Sequence, residues 1–393
     1  MLPSYYEYYN PVKILSGKKA LENLPSELAF FGVCRPLIVT DQGVTKAGLV
    51  KLVKKSVADS GMTIGAIFNE VPEDSSSRIV NKIAGIFRKN QCDCLVALGG
   101  GSVIDTAKGV NILVTEESDD LMAFAGAEML TTPMKPLAVI PATSGTGSEV
   151  TGVAVISDPD RNVKMAFTSN HLLPKIALLD PRMTLTLPPA ITAATGMDAL
   201  SHAVEACLSL QKNPMSDACA VAAIELIREN LFEAVKDGKD PDTRLAMANA
   251  AVMAGAAFSN SMVGVVHALG HAAGAIAHIP HGVAMNIFLP LGLEYNFPKC
   301  EMDIARLLLP VAGPEIYART PESRRARKTI EYIRGMQQSL RDFCDLPMSL
   351  QLAGVSRDQL PKIADLAVND PALIMNPREM EKKDAVKLLN QAF

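Results

Sequence analysis

At Leu187-Pro188-Pro189 the chain changes its hydrophobic period, and that change limits the folds open to it. Between about residues 36 and 180, short apolar runs alternate with amphipathic stretches. They are PLIVTD (36–41) with a helix-like segment through Val57, MTIGAIFNEV (62–71), SRIVNKIAGIFRKN (77–90), CLVALGGG (94–101) and PLAVIPAT (136–143). Strand followed by helix is the rhythm of a parallel sheet. GVAVISD (152–158) and VKMAFTS (163–169), separated by turn residues, read instead as a β-hairpin. Beyond residue 187 the strand-like runs vanish, and Ala-, Leu- and Met-rich helical stretches continue almost to residue 393, broken near Lys212–Pro214, Asp237–Pro241 and Pro310–Pro321. The reading is an α/β domain over 1–187 and an all-helical domain over 188–393, with a cleft between them as the default ligand site.

Bulk properties narrow the partners. A chain of 393 residues that is 48% hydrophobic is too long for one comfortable core. A net charge of -4 without a dense Lys/Arg stretch lacks the footprint that nucleic acid or an anionic membrane requires. The N-terminal MLPSYYEYYNPVKI has no basic head followed by an apolar stretch, and no run of ~18 apolar residues follows, so a soluble, cytoplasmic protein is expected. Seven scattered cysteines, an odd number, suit free thiols in a reducing compartment. Cys92 and Cys94 alternate within a strand-like run and read as core residues.

Two turns after strands carry small residues. Gly99-Gly100-Gly101-Ser102 ends an apolar run and opens the helical VIDTAKGVNIL, an arrangement that brings backbone N–H groups close to an anion at a helix N-terminus. Thr143-Ser144-Gly145-Thr146-Gly147-Ser148 again follows an apolar strand and adds hydroxyl donors. On neighbouring sheet ends the two could hold a dinucleotide pyrophosphate, although neither is the G-x-G-x-x-G fingerprint. Asp41 closes the PLIVTD strand, where a carboxylate either caps a helix or accepts from a ribose.

Histidine is scarce, with six in the chain, yet His267, His271, His278 and His281 fall within fifteen residues. Asp198 and His202 are spaced i, i+4 in TGMDALSHAVEACL, so a helix projects both from one face, and His267 and His271 repeat that spacing. A carboxylate with several imidazoles and no thiolate suits Fe(II), Zn(II) or a similar ion. Spacing alone leaves open which three histidines would bind it.

These residues resemble the iron-containing (group III) alcohol dehydrogenase family over nearly the whole chain. The matching segments are GGGSVIDTAK (99–108), PATSGTGSEVT (141–151), ALLDPRMTLTLPPAITAATGMDALSHAVE (177–205), GVVHALGHAAGA (264–275) and PHGVAMNIFLP (280–290). The resemblance implies a dehydroquinate synthase-like fold: a Rossmann-like dinucleotide-binding domain, an all-α C-terminal domain and a metal in the cleft between them. It implies metal ligation by Asp198, His202, His267 and His281, with His271 near the nicotinamide; the i+4 position of His271 beside His267 suits it to a proton relay. It implies NAD(H), in preference to NADP, at Asp41, Gly99, Gly100, Gly101, Ser102, Asp105, Thr143, Ser144, Thr146, Thr151 and Lys164. Fe(II) is favoured over Zn(II), and a homodimer or larger homo-oligomer is implied. His171 and His278 receive no role. Val103 stands where the family often has Pro. Gly270 stands where it often has Ala, an unfavourable helix residue by ~1 kcal/mol that permits close approach by cofactor or another helix.

The chemistry so implied is hydride transfer between a small primary alcohol, or diol, and its aldehyde, with the metal polarising the substrate oxygen. Val153 and Phe258 fall where an apolar substrate pocket is expected. The rivals are a glycerol dehydrogenase-like polyol enzyme, a dehydroquinate synthase, a hydroxyacid–oxoacid transhydrogenase, and a nucleotide-binding scaffold without turnover. The last should have lost a ligand or filled a glycine turn, and neither change is present.

Overall fold

The computed structural model describes residues 3–161 and 163–393; residue 162 in the turn of the expected hairpin, and residues 1 and 2, lie outside them. The chain divides into two compact units, one of Asn10–Thr186 and the other of Leu187–Phe393 with residues 3–9.

The first unit runs β1 (Lys13–Ser16), α1 (Leu24–Phe30), β2 (Pro36–Val39), α2 (Gln42–Lys46), α3 (Leu49–Val57), β3 (Ala66–Phe68) and α4 (Ser77–Lys89). It continues with β4 (Cys94–Gly99), α5 (Gly101–Thr115), β5 (Gly126–Ala127), β6 (Leu137–Pro141), β7 (Val153–Asp158), β8 (Val163–Thr168) and β9 (Ile176–Leu179). Six strands form an all-parallel sheet in the order β1-β9-β6-β4-β2-β3. Strand residues alternate between two cores. Leu37, Val39, Leu95, Ala97, Leu137 and Val139 pack on the side of α4 and α5. Ile38, Cys94, Val96, Leu98, Ala138 and Ile140 pack with Leu24, Leu28 and Val53 of α1 and α3. With both faces covered, the strands are apolar throughout, and this explains the continuous character of CLVALG and PLAVIP. Cys92 and Cys94 are buried free thiols, Cys92 in the first of these cores and Cys94 in the second.

β7 and β8 pair antiparallel, Val153 opposite Thr168 through Asp158 opposite Val163, as the hairpin pattern predicts. Two other readings change. The MTIGAIFNEV run yields only three strand residues, at a sheet edge. The opposite edge is β1, whose polar KILS pattern carries no apolar alternation to reveal it.

The second unit holds α6 (Pro189–Leu208), α7 (Pro214–Lys236), α8 (Pro241–Ser259), α9 (Val265–Ala277), α10 (His281–Arg306), α11 (Leu308–Ala312), α12 (Pro314–Arg319), α13 (Arg325–Cys344), α14 (Leu360–Ala367) and α15 (Lys382–Ala392). Proline at the first helical position follows Asn213 and Asp240, whose side chains accept from the opening N–H groups of α7 and α8, so both breaks are built as helix starts. Alanines line the core of α6, α7 and α8 and let these helices approach closely. Gly270 serves the same end: a Cβ there would lie 1.9 Å from Met285 Cε, so its close neighbour is helix α10. None of the described helices is long and apolar enough to cross a membrane.

Residues 3–9, read from sequence as part of the α/β half, cluster with the helical unit instead. The Tyr9 N–H donates to Asn260 Oδ1 at 2.7 Å, and Tyr8 Oη lies 3.6 Å from Cys219 Sγ. Pairings across more than two hundred residues leave no local pattern to read.

Candidate metal centre and anion-binding turns

Helix α6 presents Asp198, His202 and Glu205 at i, i+4 and i+7, one face of the helix, and all three are buried. His267 lies in the first turn of α9, and His281 opens α10 directly after Pro280. One ligand atom from each of Asp198, His202, His267 and His281 falls within 4.8 Å of the others. Asp198 Oδ1 is 3.3 Å from His281 Nε2 and 3.8 Å from His202 Nδ1. His281 is the most open of the four, with 39% of its side chain exposed.

Three buried atoms of this group, Asp198 Oδ1, His202 Nδ1 and His267 Nε2, lack a hydrogen-bond partner. A buried polar atom left so costs about 1–3 kcal/mol, and three converging on one point fit a cation. Protonation states agree. Burial pushes His202 down to about 3 against the pull of Asp198, and burial holds His267 well below the usual imidazole range. Burial would raise Asp198, but the surrounding imidazoles outweigh it and hold the carboxyl well below its ordinary value. At neutral pH the Asp198 carboxylate stands beside two buried neutral imidazoles, His202 and His267, with lone pairs to give, the donor chemistry of Fe(II) or Zn(II).

Glu205 is the functional residue that the sequence reading passed over. Its Oε2 lies 2.5 Å from His267 Nδ1, and its Oε1 accepts from the Val266 N–H at 2.7 Å. Burial pushes its carboxyl up to about 7, opposed by backbone N–H groups of Val266, Gly264 and His267. A carboxylate on Nδ1 keeps the proton there and leaves Nε2 facing the centre as a donor of electrons. Phe258 stacks on the His202 ring at 4.2 Å and 15°, which fixes that imidazole from one side.

His271, one turn beyond His267, stands outside the four. Its Nδ1 is 3.0 Å from Asp370 Oδ2, 43% of its side chain is exposed, and its ring stacks near His281 at 5.5 Å. His278 is an exposed left-handed residue ending α9, and His171 sits in a helical turn of the α/β unit.

In the α/β unit the two small-residue turns are neighbours. β4 pairs with β6 up to Gly99 opposite Pro141, and the Ala142 N–H donates to Gly99 O at 3.0 Å. A Cβ on Gly100 would stand 3.3 Å from Thr143 Oγ1, and one on Gly101 3.0 Å from Thr146 Cγ2, so side chains there would press the turns apart. A Cβ on Gly99 would meet the Val103 side chain. The chain leaves β2 for β3 on one side and β4 for β6 on the other, so the carboxyl ends of β2 and β4 flank a topological switch point, where open α/β sheets bind ligands. Asp41 follows β2, and one of its oxygens, Oδ1, caps α2 through the Val44 N–H at 2.8 Å. The cap reading is therefore correct for one of its two carboxylate oxygens.

Ser102 donates to the Glu73 carbonyl, Ser144 and Thr151 are buried, and Lys164 pairs with Asp74 at 3.2 Å on the surface. Asp105 is engaged by protein, accepting from Ser148 Oγ and from the Val155 N–H, each at 3.0 Å. Val153 is half-buried at the start of β7.

A parallel sheet with glycine-rich turns at its switch point and a helical unit with a carboxylate–imidazole cluster define a two-unit α/β-plus-α protein with a candidate metal centre. The family described as iron-containing alcohol dehydrogenase matches residues 11–181, and the C-terminal family of Fe-containing alcohol dehydrogenases matches residues 192–393. The chain belongs to the iron-containing alcohol dehydrogenase family. It is 35% identical to the 1,3-propanediol dehydrogenase of Klebsiella pneumoniae over 99% of each chain. A crystal structure of 1,3-propanediol oxidoreductase superposes with a TM-score of 0.94 at 34% identity, over 99% of this chain and 100% of the other. The sulfoacetaldehyde reductase of Bifidobacterium kashiwanohense, solved in complex with NAD+, superposes with a TM-score of 0.85 at 25% identity, over 99% of each chain.

Proposed function

We propose that the chain is an NAD(H)-dependent and divalent-metal-dependent oxidoreductase that interconverts a small primary alcohol or diol and its aldehyde. The observation that carries this reading is the convergence of Asp198, His202, His267 and His281 with three buried atoms that lack partners. When bound, the metal supplies Lewis-acid polarisation of the substrate oxygen and the nicotinamide supplies the hydride acceptor or donor. Fe(II) is the favoured ion and Zn(II) the alternative, because both accept this donor set.

The chain's own residues have distinct tasks. Asp198 contributes the one negative charge among the ligands, and Glu205 holds the proton on His267 Nδ1 so that Nε2 stays a ligand. His271, with Asp370 on Nδ1, presents Nε2 to pass a proton between substrate and solvent. In the proposed dinucleotide-binding domain (1–187), Gly99, Gly100, Gly101 and Ser102 with the N-terminus of α5 take the pyrophosphate, and Thr143, Ser144, Thr146, Thr151 and Lys164 complete the site. The second oxygen of Asp41 accepts from the adenine ribose and repels a 2′-phosphate, which favours NAD. Domain 188–393 holds the metal, and Phe258, stacked on His202, borders an apolar substrate. The names of the 1,3-propanediol relatives and their extent of identity support a short alcohol or diol. Seven free cysteines support the reducing cytoplasm.

The test is an anaerobic NADH-oxidation screen over a panel of short aldehydes with iron- and zinc-reconstituted protein, run beside metal-stripped protein and His281→Ala. Activity is expected with metal and lost in both controls. Full activity in the stripped protein overturns the metal mechanism.

A further inference from the structure

Helix α9, which carries His267 in its first turn, starts at Gly264 with no side-chain cap of its own. Its first internal bond runs from the Ala268 N–H to the Gly264 carbonyl at 3.0 Å, so the N–H groups of Val265, Val266 and His267 need acceptors from elsewhere in the chain. Glu205 of α6 takes the Val266 N–H, and backbone bonds from Gly264 and His267 also reach its carboxyl. The Val265 N–H goes to Asn376 Oδ1 at 3.1 Å, a partner 111 residues further along the chain. Asn376 is buried and ends the short helical turn Pro371–Met375. Its Nδ2 donates to the Arg378 carbonyl at 2.6 Å and to Asn296 Oδ1 of α10 at 3.0 Å, while Asn296 Nδ2 donates back to Asn376 Oδ1 at 2.9 Å. A carbonyl only accepts, so the Arg378 contact fixes which end of the amide faces α9. Arg378 in turn donates to the Tyr295 carbonyl at 2.9 Å and lies 4.1 Å over the Tyr295 ring, which seats the segment on α10. The packing has no slack: a Cβ on Gly264 would stand 2.6 Å from Asn376 Oδ1 and 3.1 Å from Glu205 Oε1. One amide thus joins α9 to α10 beside the α6 carboxylate, and these three helices carry all four candidate ligands.

We propose that Asn376 is a positioning residue for the metal centre: it caps α9 from outside the helix and, bonded to Asn296, holds His267 where its Nε2 meets the ligands from α6 and α10. The inference rests on the metal reading of the Asp198, His202, His267 and His281 cluster. The other end of the same helical turn has a matching contact, since Asp370, which opens it, holds His271 Nδ1 at 3.0 Å. The turn therefore grips α9 at residues 265 and 271, on both sides of His267 in sequence. An alanine at 376 leaves the Val265 N–H and the Asn296 amide without these partners, and the first turn of α9 keeps only Glu205 as its acceptor. The coupling is reciprocal: if the cap favours metal, metal steadies the cap.

The test compares wild-type protein, Asn376→Ala and Asn296→Ala by chelator competition for Zn(II), by visible absorption of the Co(II)-saturated protein and by thermal unfolding without metal. Asn296→Ala breaks the amide pair but leaves the Val265 N–H its acceptor, so it shows what loosening alone does. Asn376→Ala is expected to raise the Zn(II) dissociation constant roughly 3- to 10-fold, less than the 10- to 100-fold typical of losing a group bonded to the ligand itself. Its Co(II) bands should shift or change intensity at full loading, because the bands report the geometry of the donors. Asn296→Ala should lower the unfolding temperature comparably while affinity stays within about twofold of wild type and the bands stay unchanged. Wild-type affinity and bands in a folded Asn376→Ala, or an equal loss of affinity in Asn296→Ala, overturn the inference alone. Should Asn376→Ala fail to fold, hydrogen exchange of the wild-type protein carries the test. Stripping the metal is then expected to speed exchange in residues 371–378, which hold no candidate ligand, and unchanged exchange there overturns the inference. Failure of the wild-type protein to bind Zn(II) or Co(II) overturns the metal reading and the inference with it.

Discussion

Replacing Glu205 by glutamine tests whether the metal centre depends on a residue that touches no metal. In the native arrangement both carboxylate oxygens are engaged, Oε2 with His267 Nδ1 and Oε1 with the Val266 N–H. An amide has one acceptor oxygen and one NH2 group. If the oxygen stays on Val266, the NH2 faces Nδ1, which must then accept, and the imidazole proton moves to Nε2, the atom turned toward the centre. If the amide flips, its NH2 opposes the Val266 N–H and leaves that donor without an acceptor. Either outcome costs about 1–3 kcal/mol. Loss of a carboxylate behind a ligating histidine typically weakens metal binding 10- to 100-fold, or about 1.4–2.7 kcal/mol. Equilibrium competition with a chelator, anaerobically for Fe(II) and in air for Zn(II), reads this directly, and thermal unfolding shows that the fold survives. A Glu205→Gln dissociation constant within about twofold of wild type, at unchanged unfolding temperature, would refute the reasoning, because Glu205 would then not set the tautomer.

Three further outcomes follow from the same geometry. Asp180 is buried, and although burial alone would raise its carboxyl, bonds from Arg182 and from the Leu21 and Arg182 N–H groups hold it below the ordinary range. Its stabilising effect is thus complete above about pH 4 and is lost as pH falls through the lowered value. Asp180→Asn should cost about 1–2 kcal/mol at pH 7, with the gap to wild type narrowing below pH 4 in calorimetry; a gap independent of pH contradicts this. A Cβ on Gly282 would stand 2.4 Å from the Ala194 carbonyl oxygen, so Gly282→Ala must push the first turn of α10, and His281 with it, off α6. Stability should fall by roughly 1–3 kcal/mol and metal per chain should fall too, and full metal loading would count against the tight approach. Asp41→Ser keeps a helix cap but removes the charge, so the NAD/NADP ratio of catalytic efficiencies should drop at nearly unchanged unfolding temperature, whereas an unchanged ratio removes Asp41 from the ribose site.

Much of this architecture can be read from the residues alone, and the exceptions share a cause. Asp198 and His202 declare themselves because helical spacing puts them on one face, and His267 and His281 because histidine is scarce enough for a crowd of four over residues 267–281 to stand out. The glycine turns declare themselves because only a residue without Cβ suits such close contact with the Thr143 and Thr146 side chains. Glu205 does not, since a glutamate on a helix is an ordinary surface residue until tertiary packing buries it. Asp41 reads two ways because a cap and a ribose acceptor ask for the same carboxylate in the same place, and the cap takes only one oxygen. β1 escapes notice because four residues at a sheet edge, two of them Lys13 and Ser16, need not be apolar.

Residues 3–9 belong to the helical unit, yet Asn10–Thr186 intervenes before the rest of that unit begins. In terms of chain order, the α/β unit is an insertion into the helical one. A ribosome therefore releases the whole parallel sheet before any of helices α6 to α15 exists, and it can fold as a block. Tyr8 and Tyr9 meanwhile wait for Cys219 and Asn260, which emerge more than two hundred residues later. Closing that circuit is a late, slow step by its sequence separation, which makes the tyrosine-rich start of the chain a reporter of completed assembly.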